Sequence, residues 1–290
     1  GWKGQDVLLH FGAVDWLAQV WVNGTYVGEH RGGYDPFHFN ITPYLSSSAQ
    51  QQITVKVWDG TDSSWLPRGK QVEKPAYIWY TPVTGIWQTV WLEATNDYSL
   101  DHIQVITDID QHHVVFTPRY YRTMASNTLT INIKDNGKLV AKKQVAQVEG
   151  IPVVIPMKKY QTWSPENPKL YDVEYIISDK EGKVLDRISS YLGMRKVHTD
   201  GNKVYLNNQP YYQRLVLDQG FYPDGIYTAP TKEALKNDIL LSMKAGFNGA
   251  RLHQKIFEPL FLHYCDELGY IVWGEHGNWG ADHTNFESLR

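Results

Sequence analysis

Polar and charged side chains follow three short apolar runs in the last third of the chain, each at the point where the run ends. These residues are Asp218, Arg251, His253 and Glu275, with Trp279 in the loop beyond. Where parallel strands end side by side, such side chains converge, and ligand-binding residues of α/β proteins cluster there. A guanidinium group orients a carboxylate by charge-assisted hydrogen bonds. The set therefore predicts the rim of a substrate pocket.

Each of these side chains also has a purely structural interpretation. Arg251 could form a salt bridge with Glu258 or another acid, and Glu275 could pair with a neighbouring arginine. The His253 imidazole could be a hydrogen-bonded part of the fold. The remaining alternatives are a loop-capping carboxylate for Asp218 and a packing aromatic for Trp279.

The elements that would position these residues alternate between strand and helix. One helix is predicted to begin after Thr231 as its N-cap and to end at Gly246, and a second to begin at Pro259 and end at Gly269. Such alternation indicates right-handed parallel crossovers. A (β/α)8 barrel takes about 250 residues, so only about three of its strands fit after Gly193. We expect a truncated barrel, the alternative being a smaller α/β domain.

The first two thirds of the chain are predicted to be antiparallel β structure. Over residues 1–97, the dipeptide Asn23-Gly24 between alternating runs indicates a type I′ hairpin. Over residues 98–195, short alternating strands such as 129–133 are separated by turn residues, which is typical of a small immunoglobulin-like sandwich without its cysteine pair.

Composition excludes several classes of function. The 28 Lys and Arg against 31 Asp and Glu give a net charge of −3, which does not favour nucleic acid or an anionic membrane as a partner. Cys265 is the only cysteine, so an internal disulfide and a Cys-based zinc site are excluded. No apolar run reaches the about 18 residues needed to cross a bilayer. The 11 Trp, 19 Tyr and 9 Phe suit sugar stacking and sandwich cores equally.

Several motifs carry a resemblance that covers nearly the whole chain. They are Thr84-Gly85-Ile86-Trp87-Gln88, Trp163-Ser164-Pro165-Glu166-Asn167-Pro168, Gly193-Met194-Arg195-Lys196 and Gly246-Phe247-Asn248-Gly249-Ala250-Arg251. They resemble the β-galactosidase and β-glucuronidase group of glycoside hydrolase family 2. The resemblance implies a jelly-roll-like, sugar-binding-type β-sandwich over 1–97 that lacks its first strands. It implies an immunoglobulin-like β-sandwich over 98–195 and the first strands and helices of a (β/α)8 TIM barrel over 196–290.

The resemblance also implies the activity of a retaining exo-β-glycosidase. Galactose is the first expected sugar, and glucuronic acid and mannose are the less favoured alternatives. Retaining hydrolysis uses two carboxyl groups about 5–5.5 Å apart. In the family the acid/base Glu follows an Asn on a later barrel strand, and no Asn-Glu dipeptide occurs in this chain. Both catalytic Glu are therefore expected after Arg290, and the chain alone is expected to be inactive. An alternative uses Glu275 and Glu287 as its own acid pair.

For the candidate site the resemblance is uneven. Arg251 matches an arginine of the family's sugar site. His253 lies one residue closer to that arginine than the family's histidine does, and Gly274 replaces the Asp of an Asp-Glu pair whose Glu matches Glu275. Asp218 and Trp279 are supported by location alone. The loop 65–71, with residues 79–82, could reach the barrel mouth or form only an interdomain contact.

The expected partner is a β-linked oligosaccharide or glycoside, with no nucleic acid and no membrane, and a homo-oligomer is possible. No cofactor is evident, although the full-length protein could hold a divalent cation. The natural N-terminus is expected to be missing because the chain begins at Gly1, so the compartment stays open. A rival interpretation is a non-catalytic carbohydrate-binding or scaffold protein built of two β-sandwiches.

Overall fold

The computed structural model describes residue 2 and residues 4–280. Within this part, the chain forms twenty-one β-strands and two α-helices. It divides into two compact units. Among the described residues, the first unit comprises residue 2 and residues 4–94, 214–265 and 271–280, and the second comprises residues 95–213 and 266–270.

The first unit begins with a β-sandwich. Its strands are β1 Asp6–Phe11, β2 Val14–Asp15, β3 Leu17–Val22, β4 Thr25–Arg31, β5 Phe37–Asn40, β6 Ile53–Trp58, β7 Gly85–Ile86 and β8 Val90–Thr95. They form the sheets β5-β1-β8 and β4-β3-β6 and the pair β2-β7. Alternate residues of β3 point inward, so that Ala18, Val20 and Val22 are fully buried in the core. Asn23 and Gly24 have φ of 50° and 79°, which confirms the hairpin.

The second unit is a two-sheet sandwich of immunoglobulin type. Its strands are β9 Leu100–Asp108, β10 His113–Tyr120, β11 Thr128–Asp135, β12 Lys138–Ala146, β13 Val153–Pro156, β14 Tyr171–Ser178 and β15 Val184–Leu192. The sheets have the orders β13-β10-β9 and β12-β11-β14-β15. Phe116 faces Leu129, Ile131 and Tyr175 in one apolar core. A small sheet follows, made of β16 Val197–Asp200, β17 Lys203–Leu206 and β18 Gln209–Pro210.

The first unit also contains a parallel sheet. Its elements are β19 Leu215–Asp218, α1 Lys232–Lys244, β20 Gly249–Leu252, α2 Pro259–Leu268 and β21 Ile271–Gly274. The strands pair in sequence order and in parallel. Thr231 accepts a hydrogen bond from the backbone N–H of Ala234, which confirms it as the N-cap of α1. Neither helix has the length and apolar character to cross a bilayer.

Candidate functional site

The carboxyl ends of the three parallel strands lie side by side. Asp218 is opposite Leu252 in the register of β19 and β20, and Leu252 is opposite Gly274 in that of β20 and β21. The residues that come directly after these positions therefore leave the sheet at one edge. His253 and Glu275 are two of them.

Glu275 is held by two cationic or potentially cationic partners. Arg251 Nε donates to its Oε1, and His253 Nδ1 lies 2.6 Å from its Oε2. Burial raises the pKa of Glu275, but the hydrogen bonds and charges of Arg251 and His253 outweigh it and the pKa falls below its ordinary value. The carboxylate is therefore ionised at neutral pH. Its side chain keeps 27% of its surface exposed, so it can still accept a bond from a ligand.

Asp218 occupies a different position, beside its own loop. Its Oδ1 accepts a hydrogen bond from the backbone N–H of Gly220 at 2.8 Å, and its backbone oxygen accepts one from the N–H of His253 at 2.8 Å. Burial raises the pKa of the Asp218 carboxyl. Within residues 4–280 no hydrogen bond links this carboxyl to Glu275. The structure brings together Arg251, His253 and Glu275, with Asp218 tied to them through main chain.

Lys255, two residues after His253, is a buried residue that the sequence did not single out. Its Nζ donates to the backbone oxygens of Gly220 at 2.7 Å and Tyr227 at 2.9 Å. Four rings surround the ammonium at 4.7–6.0 Å from their centroids. These rings are Trp87, Tyr222, Tyr227 and Phe257. The lysine therefore joins the loop after β19, the segment after β20 and the sandwich at a single point.

Burial disfavours the charged form of Lys255. Burial lowers its pKa to about 8, although nearby carboxylates oppose this shift. The acids are Glu258, Asp218 and Asp238. In the sequence, the only indication that Lys255 is buried is the apolar pair Ile256-Phe257 that follows it directly. Because lysines are seldom buried, this pattern does not predict the burial of Lys255.

Gln254, between His253 and Lys255, has a strained backbone. Its φ is 60°, a left-handed value uncommon outside glycine, and the residue is only 6% exposed. Its Nε2 donates to Asn278 Oδ1 at 3.4 Å, and its Oε1 has no hydrogen-bond partner within the described part of the chain. Strain and an unpaired buried acceptor at one residue are typical of functional segments.

The sandwich loop 65–71 contacts the segment that follows β21. Arg68 and Trp279 exchange two backbone hydrogen bonds of 3.1 and 3.0 Å. Gly277 and Gly280 allow this approach. A Cβ at Gly277 would lie 2.7 Å from the carbonyl carbon of Arg68, and one at Gly280 would lie 2.9 Å from the carbonyl oxygen of Leu66. The ring of Trp79 meets that of Trp279 edge to face, with centroids 5.2 Å apart. The loop and the strand ends are thus parts of the same surface of the first unit.

Two other expectations concern the end of the chain and metal ions. The segment 285–288, with Glu287, lies outside the described residues. Among residues 4–280, no group of three or more His, Cys, Asp or Glu side chains is placed to hold a metal ion. The divalent cation of the full-length protein stays a prediction.

Comparison with known families agrees with this architecture. The model of the sugar binding domain of glycosyl hydrolases family 2 matches residues 1–96, and a second model of glycosyl hydrolases family 2 matches residues 98–195. The chain belongs to glycosyl hydrolase family 2. The expected resemblance is therefore confirmed, as are the sugar-binding and immunoglobulin-like sandwiches.

Relatives in this family carry two different names. A β-galactosidase of Thermoanaerobacter pseudethanolicus is 30% identical over 96% of this chain and 38% of its own length. A β-glucuronidase of Bacteroides fragilis is 25% identical over 94% of this chain and 41% of its own. The chain thus spans about two fifths of these relatives. A solved β-glucuronidase from Ruminococcus gnavus in complex with D-glucuronic acid superposes with a TM-score of 0.84 at 22% identity, over 99% of this chain and 50% of that one.

Proposed function

We propose that the protein carrying this chain is an exo-acting retaining β-glycosidase, with β-galactosides as the leading substrates and β-glucuronides or β-mannosides behind them. The observation that carries the proposal is the Arg251–Glu275–His253 cluster at the strand ends of a family 2 chain. Such a cluster suits a ligand rich in hydroxyl groups, because the carboxylate accepts hydrogen bonds and its two partners donate them.

Within this proposal Glu275 binds the sugar and takes no part in bond cleavage. A general acid must be protonated before the reaction, whereas the lowered pKa of Glu275 keeps it ionised at neutral pH. Its two oxygens are already engaged by Arg251 and His253, which disfavours a role as nucleophile. This argues against the alternative in which Glu275 and Glu287 form the acid pair. The acid/base and nucleophile are then expected beyond residue 290.

The three parallel strands are interpreted in the same proposal as the first strands of a (β/α)8 barrel, in domain 196–290 after sandwiches at 1–97 and 98–195. The support is the sequential order β19-β20-β21 with one helix between each pair. In such barrels substrates bind where the strands end. Hydrolysis then follows the family's two steps. In the first, one carboxylate attacks the anomeric carbon and forms a glycosyl-enzyme, while the second carboxyl group protonates the oxygen of the departing group as the glycosidic bond breaks. In the second, that same group takes a proton from water, which attacks the anomeric carbon and releases the sugar and the first carboxylate.

The test compares two lengths of the protein. The 290-residue chain and the full-length protein are assayed with aryl β-galactosides, aryl β-glucuronides and aryl β-mannosides. We expect turnover by the full-length protein alone, and loss of at least 10-fold in kcat/KM in Glu275→Gln. Activity of the short chain that Glu275→Gln abolishes would overturn the proposal in favour of the Glu275 and Glu287 pair. Sugar binding without turnover by either protein would favour the non-catalytic scaffold.

A further inference from the structure

Two tryptophans of the first unit form an aromatic pair that the sugar-binding cluster does not use. Trp79, in the segment 72–84 that follows the sandwich loop, is partly buried, and Trp279, after β21, is 41% exposed. Their rings cross at 71° with centroids 5.2 Å apart. An indole that stays this exposed although a second indole packs on it has apolar surface left for a ligand.

Main-chain hydrogen bonds fix the backbone that carries both rings before any ligand arrives. Trp279 is fixed by its two backbone hydrogen bonds with Arg68. In the segment that carries Trp79, the N–H of Trp79 donates to Ala76 O at 3.1 Å, and the N–H of Tyr80 donates to Lys70 O at 2.6 Å. A ligand that stacks here orders little further chain, so more of the contact energy appears as affinity.

The position of the pair relative to Glu275 selects the ligand. Trp279 comes four positions after Glu275. An extended chain covers at most about 3.6 Å per residue, so the two Cα atoms lie within about 14 Å. That distance accommodates a sugar held at Glu275 and one neighbouring group on the same substrate. An exo-acting enzyme keeps the terminal sugar at the pocket, so the neighbour is the leaving group.

We propose that Trp279 and Trp79 form the binding site for a pyranose ring in the leaving group. This rests on the proposed function and adds to it a preference for oligosaccharides over simple alkyl glycosides. The C–H face of a pyranose is apolar and flat enough to stack on an indole. Asn278, the residue before Trp279, is exposed, and its Oδ1 accepts a hydrogen bond from Gln254 Nε2 at 3.4 Å. Its side-chain amide is a candidate partner for a hydroxyl group of the sugar.

The experiment uses the full-length protein and substrates that differ only in the leaving group. The pair is lactose and methyl β-D-galactoside for a galactosidase. It is cellobiouronic acid and methyl β-D-glucuronide for a glucuronidase, and β-1,4-mannobiose and methyl β-D-mannoside for a mannosidase. In Trp279→Ala we expect kcat/KM for the disaccharide to fall about 10-fold, mainly through KM, and that for the methyl glycoside to stay within two-fold. Trp279→Phe should recover most of the loss because it restores a ring.

The ratio of kcat/KM for the disaccharide to kcat/KM for the methyl glycoside does not depend on the fraction of the protein that is folded. Trp91→Ala is the matched control, since Trp91 is 43% exposed on β8 and stacks on His10. Equal losses on both substrates, or no loss on either, would overturn the aromatic site while turnover by the wild type upholds the glycosidase. A wild type that hydrolyses none of the three methyl glycosides and none of the three disaccharides would overturn the proposed function, and the aromatic site with it.

Discussion

The core of the second unit and the strand ends of the first unit are built on opposite principles. The core is apolar throughout, and Leu129, Ile131 and Ile133 are fully buried on one face of β11. At the strand ends the consecutive residues His253, Gln254 and Lys255 are buried as well, although all three are polar. Burying polar groups costs free energy unless each finds a partner. The core of the second unit is organised for stability. The strand ends of the first unit give up stability to hold particular polar groups in place.

The largest effect tests the apolar side of this contrast. Ile131→Ala removes a fully buried side chain from the second unit and should lower the free energy of unfolding by about 2–5 kcal/mol. Ile106→Ala is the matched control, because Ile106 is 52% exposed on β9, and its change should stay within about 0.5 kcal/mol. Urea unfolding of the chain measures both. Similar losses at the two positions would show that the core is not the dominant source of stability in this unit.

The next effect tests the cost of burying Lys255. Its pKa of about 8 in the folded protein is below that of an unfolded lysine, so the unfolded chain binds more protons between about pH 8 and pH 10.5. The free energy of unfolding should therefore rise with pH across this range by on the order of 3 kcal/mol relative to Lys255→Met. Thermal unfolding against pH follows the difference. Lys244→Met, at the end of α1, controls for the loss of one positive charge, and parallel profiles for Lys255→Met and the wild type would contradict the prediction.

A smaller effect sharpens the statement that Gln254 is strained. Alanine usually stabilises a chain relative to glycine. At φ of 60° the order should reverse, with Gln254→Gly more stable than Gln254→Ala by about 1–2 kcal/mol. Denaturant unfolding of the two variants gives the difference directly. If alanine proves the more stable, the backbone at this position is not strained.

The smallest effect concerns Glu275. Its lowered pKa means that its contribution to stability is present above the ordinary pKa of Glu and is lost as the pH falls through the folded value. Glu275→Gln should cost about 0.2–1 kcal/mol at pH 7, the range for exposed ion pairs, and the difference from wild type should shrink as the pH falls. Thermal unfolding at a series of pH values from 7 down to 2 tests this. A difference that does not shrink as the pH falls would mean that packing, not charge, stabilises the site.

The regular elements were predictable because their signals are local. Alternation over residues 129–133 gave the buried face of β11, Thr231 gave the start of α1, and Asn23-Gly24 gave the hairpin. The strand ends were predictable only in part. Arg251 and Glu275 could be named, but their pairing joins side chains 24 residues apart and depends on the register of β20 and β21. Lys255 was missed because its burial depends on rings from Trp87 to Phe257 that come together only in the folded chain.

The attachment between Arg68 and Trp279 has a consequence for how the family can diversify. Both of its hydrogen bonds run from one main chain to the other, so they survive exchange of either side chain. The side chain at position 279 can therefore be exchanged while the sandwich loop stays attached to the segment after β21. Gly277 and Gly280 are far less free to vary, because a side chain at either position would collide with the main chain of that loop.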